Sequence, residues 1–223
     1  SSRPGATDIS PEDEAGRVMH AVKVIRKEFN DVVLSVDTFR SAIACQAVAE
    51  GADIINDISG GDLDAAMFET VAELKVPYIC MHMKGTPQTM NSLASYENLL
   101  HELTAWFSGK IASLQAKGVS DIILDPGFGF AKTVEQNFEL LSNLHLLKML
   151  NKPLLVGLSR KSMIWRTLNT TPEHALNGTT ALNMIALTKG ASILRVHDVK
   201  EAVELVSLFS KLQPYSASPQ SGV

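Results

Sequence analysis

Six short apolar runs, each followed by a helical stretch, recur about every 32 residues along this 223-residue chain, and this alternation restricts the fold more than any other feature. The runs are Val32 to Val36, Asp53 to Ile58, Tyr78 to Met83, Ile122 to Leu124, Leu154 to Leu158 and Ile193 to Val196. Each is continuous rather than alternating, as expected for a strand buried on both faces of a parallel sheet. Between them, Ala15, Val18, Met19, Val22, Ile25 and Phe29 fall three or four residues apart and form one helical stripe. Leu99, Leu103, Trp106, Phe107, Ile111 and Leu114 do the same. Pro11 followed by Glu12, Asp13 and Glu14 suits a helix start, where acidic groups meet the positive end of the dipole. Gly51, Gly118 and Gly190 stand where a helix should end and a strand begin, the place of a left-handed cap.

Two architectures satisfy this pattern, an open doubly wound sheet and a closed (β/α)8 barrel. Eight units at this spacing need roughly 250 residues. With six units present, a barrel would lack two strands at one end, and the abrupt Ser-Ser-Arg-Pro-Gly-Ala beginning agrees with that. An open sheet needs no missing piece. The pattern alone leaves both open. A Ser- and Pro-rich stretch closes the chain, so the expected organisation is one domain over 1–213 and a flexible tail over 214–223.

Composition narrows the partners. Hydrophobic residues make up 45% and charged residues 20%, enough apolar material for a sizeable core. Net charge is −4 and the cations are scattered, so no basic stripe for nucleic acid is present and none is expected as a partner. No run approaches the ~18 apolar residues of a membrane helix, and no secretory leader is recognisable, so a cytoplasmic location without membrane attachment is expected. Cys45 and Cys80 sit in apolar company without metal-ligand spacing and are expected as buried free thiols.

Every apolar run ends in polar residues. In order these are Asp37-Thr38, Asn56-Asp57, His82-Met83-Lys84, Asp125-Pro126-Gly127, Ser159-Arg160-Lys161 and Arg195-Val196-His197-Asp198. All strands of a parallel sheet open their C-terminal ends on one side, which carries the active site in barrels and open sheets alike. Singly each cluster has a plainer reading. Asp37-Thr38 suits a helix cap, Asn56-Asp57 before Gly60-Gly61 suits a turn, His82 suits a satisfied core histidine and Lys161 a solvated helix residue. Six in succession point to a site. Asp37, Asp125 and the Asn56 amide suit a ligand rich in N–H donors and ring nitrogens. Arg195, His197 and Arg3 suit an anion, and Ser159 to Ser162, where a strand turns into a helix, offers backbone amides to a carboxylate or phosphate. No HExxH, paired-His spacing, P-loop or GxGxxG is present.

Taken together, the segments Ser2-Arg3-Pro4-Gly5, Val36-Asp37-Thr38, Ile55-Asn56-Asp57, Met81 to Pro87, Asp125 to Phe130, Gly157 to Ser162 and Arg195 to Val199 resemble the dihydropteroate synthase family over nearly the whole chain. The resemblance implies a TIM barrel of the α/β class, N-terminally truncated to about six βα units. It implies an alkyl transfer in folate synthesis: the amine of p-aminobenzoate displaces pyrophosphate from 6-hydroxymethyl-7,8-dihydropterin pyrophosphate. Carried over residue by residue, Asp37, Asn56, Met81, Asp125, Lys161 and Arg195 would meet the pterin, with Asp37, Asp125, Lys161 and Arg195 as catalytic groups. Arg3, Arg195 and His197 would hold pyrophosphate, and Ser2, Pro4, Phe130 and Ser162 would hold p-aminobenzoate. Mg²⁺ is the implied cofactor, its protein ligand an Asn of a family strand preceding Ser1, and a homodimer the implied assembly. The family pattern DPGxGFGK has Gly where this chain has Ala131. Two further readings stand beside this one, a domain passing a methyl group from a folate to a corrinoid protein and a non-catalytic pterin-binding module. The first would share the pterin-facing Asp and Asn without needing Ser159 to Ser162 or Arg195 with His197.

Overall fold

The computed structural model describes residues 9–212. The opening helix α1 (Pro11–Glu28) begins as its sequence predicts: Ser10 caps it by accepting from the Asp13 amide at 3.1 Å, and acidic residues fill the first turn. There follow β1 (Ser35–Asp37), α2 (Ser41–Ala49), β2 (Ile54–Asp57), α3 (Met67–Leu74), β3 (Tyr78–Met81), α4 (Leu99–Ala116), β4 (Ile122–Asp125) and α5 (Val134–Ser142). The described residues end with β5 (Leu155–Val156), α6 (Ser162–Thr167), α7 (Leu176–Thr188), β6 (Ile193–Leu194) and α8 (Val199–Leu212). Gly51, Gly118 and Gly190 all take positive φ after α2, α4 and α7, the left-handed stop their positions predict.

Strand order decides between the two architectures. β1 to β4 pair in parallel in sequence order, β5 pairs in parallel with β6, and a parallel bridge between Leu124 and Leu154 joins the two sets. A doubly wound sheet reverses direction at a switch point; here no reversal occurs. Across the arc, Arg195 after β6 donates to Asp37 at the end of β1 at 2.5 Å, so the first and last strands curl toward each other. The fold is α/β, and the six units form an arc of a TIM barrel.

Register determines which side chains share a face. Asp37 pairs with Asn56 and Met81 with Asp125, so these four stand on the concave side, two residues above Ser35, Ile54, Ile79 and Ile123. Val36, Ile55, Tyr78, Cys80, Ile122 and Leu124 point the other way into the main core, where Leu103, Phe107 and Leu114 of α4 meet them. Burying such side chains is what holds the helical layer on the sheet, at roughly 1.5–3 kcal/mol each.

Two expectations are corrected. Pairing starts at Ser35 rather than Val32: Val32 and Val33 are exposed, and the Val32 carbonyl instead accepts from Arg26 at 2.8 Å. Cys80 is buried as expected, but Cys45 is exposed, because it falls on the outer face of α2 while Ile43, Ala44 and Ala47 face inward. The boundary at 213 and the tail over 214–223 lie outside the described residues.

Candidate active site

A cleft of about 810 Å³ opens at the C-terminal ends of the strands, lined by Asp37, Met81, Asp125, Phe130, Lys161, Ser162, Arg195 and His197 among others. Nearly all the sequence-predicted groups among the described residues therefore converge on one face. Asn56 stands immediately beneath, donating from Nδ2 to Asp37 Oδ1 at 2.7 Å. Ser2, Arg3 and Pro4 lie outside the described residues.

One end of the cleft rests on β1 to β4. Asn56 is 1% exposed, and its side-chain Oδ1 has no hydrogen-bond partner among the described residues. An acceptor buried without a donor costs about 1–3 kcal/mol, and an N–H entering here would satisfy it. Asp125 is buried, and its Oδ1 accepts from the Gly127 amide at 2.8 Å. Burial pushes its carboxyl pKa upward, against the Gly127 bond and the nearby charges of Lys161, Arg195 and Lys132. Lys161 Nζ reaches the Phe128 carbonyl and lies 4.6 Å from the centre of the Phe130 ring. Burial, with Arg195 in support and Asp125 opposing, lowers its pKa to about 8. Met81 closes the floor with Ile58 and Phe130.

The other end rests on β5, β6 and the loops after them. Ser159 Oγ accepts from the His197 amide at 3.2 Å and lies 2.9 Å from His197 Nδ1. This leaves His197 Nε2 available to the cleft. Arg160 grips Asp198 with two bonds, 3.0 and 2.5 Å, so the loop after β5 is tied to the loop after β6. Ser162 begins α6, as expected, but α6 has six residues. Its dipole is correspondingly small, and the groups an anion could meet here are Ser162 itself with Arg160 and Arg166, which line the same cleft. In barrels, a phosphate site commonly forms from two such adjacent loops and a short extra helix.

The structure also sorts the plainer readings. Thr38 does not cap α2; its hydroxyl donates to Glu14 at 2.6 Å. Asp57 is turn chemistry, accepting from the amides of Ser59 and Gly61 and from the Tyr78 hydroxyl, whereas its neighbour Asn56 faces the site. His82 is a buried core histidine beside Trp106 and Lys132. Arg166, Pro172 and Glu173 line the cleft without having been marked by any motif; they come from a segment that reads only as a helix and its exit.

Comparison with known proteins places this geometry among relatives. The family pattern described as "Pterin binding enzyme" matches residues 1–197. A Synechocystis protein named dihydropteroate synthase is 42% identical over 215 residues, 95% of this chain and 74% of its own length. An Escherichia coli protein of the same name is 42% identical over 206 residues, 92% and 72% of the two chains. The crystal structure of the Yersinia pestis dihydropteroate synthase in a sulfonamide drug complex superposes with a TM-score of 0.92 at 38% identity, covering 96% of this chain and 78% of that one.

Proposed function

The chain belongs to the pterin-binding enzyme family, and from that premise we infer that its reaction is that of a dihydropteroate synthase, a transferase. The reaction condenses 6-hydroxymethyl-7,8-dihydropterin pyrophosphate with p-aminobenzoate to give 7,8-dihydropteroate and pyrophosphate. The observation that carries this reading at the site is Asn56 Oδ1, buried beneath the cleft without a partner among the described residues, beside the Asp37 carboxylate that lines the same cleft as Asp125, Lys161 and Arg195.

Asn56 Oδ1, Asp37 and Asp125 accept the N–H groups of the pterin's polar edge, Lys161 donates to it and Met81 lies along the ring. Arg195 and His197 meet the pyrophosphate, with Arg3 as the further cation. Phe130 and Pro4 flank the p-aminobenzoate ring, and Ser2 and Ser162 take its carboxylate end. Breaking the C–O bond places positive charge on the pterin methylene and negative charge on the departing pyrophosphate. Carboxylates held on one side and cations on the other stabilise both at once, without reorganising when the bond breaks. The attacking amine is uncharged near neutral pH, so no strong base is required. A folate-to-corrinoid methyl transfer has no use for the anion-binding end.

Mg²⁺ belongs to this reading as the partner of the pyrophosphate. Among the described residues no three of His, Cys, Asp and Glu come together as a metal site. A sulfonamide, imitating the ring and anionic end of p-aminobenzoate, should compete for the Phe130 and Ser162 end. Assembly as a homodimer in the cytoplasm completes the proposal, the exposed Val199, Val203 and Val206 of α8 being suited to a self-contact. The deciding assay supplies both substrates and follows dihydropteroate and pyrophosphate; equimolar release supports the reading, and pterin binding without either product would overturn it.

A further inference from the structure

Among the described lysines and arginines, Lys132 is the most deeply buried, and none of the roles above uses it. Its ammonium lies behind the loop joining β4 to α5, outside the set of residues lining the cleft. Nζ is 3.1 Å from His82 Nδ1, 3.2 Å from the Gly127 carbonyl and 3.2 Å from the Phe130 carbonyl. An ammonium has three N–H donors, and here it meets three acceptors. His82 can serve as one of them because burial, together with Lys132 and Lys84, keeps its ring neutral.

The loop so held carries two groups of the site. The Gly127 amide fixes Asp125, and the Phe130 ring flanks the cleft. Packing at the loop's start is tight: a Cβ on Gly127 would stand 2.1 Å from the His82 carbonyl oxygen. Lys161 holds the Phe128 carbonyl from the cleft side while Lys132 holds its neighbours from behind.

We propose that Lys132 is a positioning residue for the condensation: its ammonium, anchored on Gly127, Phe130 and His82, sets the Phe130 ring against the Asp125 carboxylate and so aligns the aminobenzoate amine with the pterin methylene. This rests on the dihydropteroate synthase reading. A neutral amine would offer two N–H donors to the same three acceptors, leaving one unmatched in a dry pocket. The charged groups facing Lys132 are Asp125, which favours the ammonium, and Lys161 and Lys84, which oppose it. Lys84 is itself paired with Glu102 at 2.9 Å. Burial dominates and lowers the pKa of Lys132 to about 7. The clamp is therefore complete on the acid side of that value and loses one bond as pH rises through it.

The test is the pH dependence of kcat/KM for p-aminobenzoate in the intact protein, with saturating pterin substrate. Wild type should show a falling step near pH 7, before any step from Lys161 near 8. Lys132→Met should lower kcat/KM by up to about a hundredfold on the acid side and abolish the step near 7. Lys132→Arg, whose charge does not titrate, should recover part of the rate and also lack that step. A Lys132→Met variant with the wild-type rate and the wild-type step overturns the proposal. If that variant does not fold, Lys132→Arg decides: a retained step near 7 overturns the proposal, and a missing one supports it. Wild type that makes no dihydropteroate would instead remove the functional reading itself.

Discussion

The two ends of the cleft are built by different means. At the β1 to β4 end, strands of three or four residues lie in one continuous sheet, and the register itself sets Asp37 beside Asn56 and Asp125 beside Met81. Asn56 and Asp125 are buried there, so a misplaced donor or acceptor has no water to satisfy it. At the other end, β5 and β6 are two residues each, and side-chain ties between loops do the positioning: Ser159 to His197, and Arg160 to Asp198. Arg195 is half-exposed and His197 exposed. On the proposed function, backbone register serves the end that would meet the heterocycle, and tethered, solvated charges serve the end that would hold and then release the anion.

If this contrast is correct, damage at the first end should be severe and insensitive to salt. Asp125→Ala or Lys161→Ala should each cost roughly 2.7–4 kcal/mol in kcat/KM, with circular dichroism unchanged; near-normal turnover by either would show the pocket misassigned. The next effect belongs to Ser159. Ser159→Ala leaves His197 without its orienting partner and should cost about 1–3 kcal/mol, read as a raised KM for the pterin pyrophosphate rather than for p-aminobenzoate. Equal effects on both substrates would contradict the division of the cleft.

Breaking the Arg160–Asp198 tie should matter less. Asp198→Asn should raise the same KM by roughly fivefold, about 1 kcal/mol for a partly exposed pair, and the effect should shrink in high salt. The Arg160 hydrogen bond holds the Asp198 carboxyl below its ordinary pKa. Its stabilising contribution is therefore present at neutral pH and lost as pH falls through the carboxylate range. Melting curves of wild type and variant should converge on acidification. The smallest effect is expected at Ala131, which takes φ 47° and is buried in the loop before Lys132. Ala131→Gly should raise stability by less than about 1 kcal/mol, the relief of a left-handed alanine partly offset by the freer unfolded chain, with activity unchanged.

The difference between the ends also explains what could be read from sequence. Asp37, Asn56, Asp125 and Lys161 were legible because each follows an apolar run, and parallel strands bring all such ends to one side. Ties between residues far apart in the chain were not legible. Arg195 meets Asp37 across 158 residues, and nothing local to either announces the pair, which is also what shows the sheet to be curled. Lys132 ends the segment that resembles the family's DPGxGFGK without any role attached to it; only the folded loop gives it three acceptors. Val32 and Val33 show the converse failure. Their β-branched side chains favour a strand, but no neighbouring backbone reaches them, and hydrogen bonding starts with Leu34 accepting from Asp53 and Ile54.

On this reading Asp37, Asn56 and Asp125 form one acceptor set for a pterin. Calorimetric titration of the protein with the pterin pyrophosphate, wild type beside Asp125→Ala, decides whether they do. One site per chain is expected in wild type, with binding weaker by about 1–3 kcal/mol in the variant; equal affinities in the two proteins would remove Asp125 from the set.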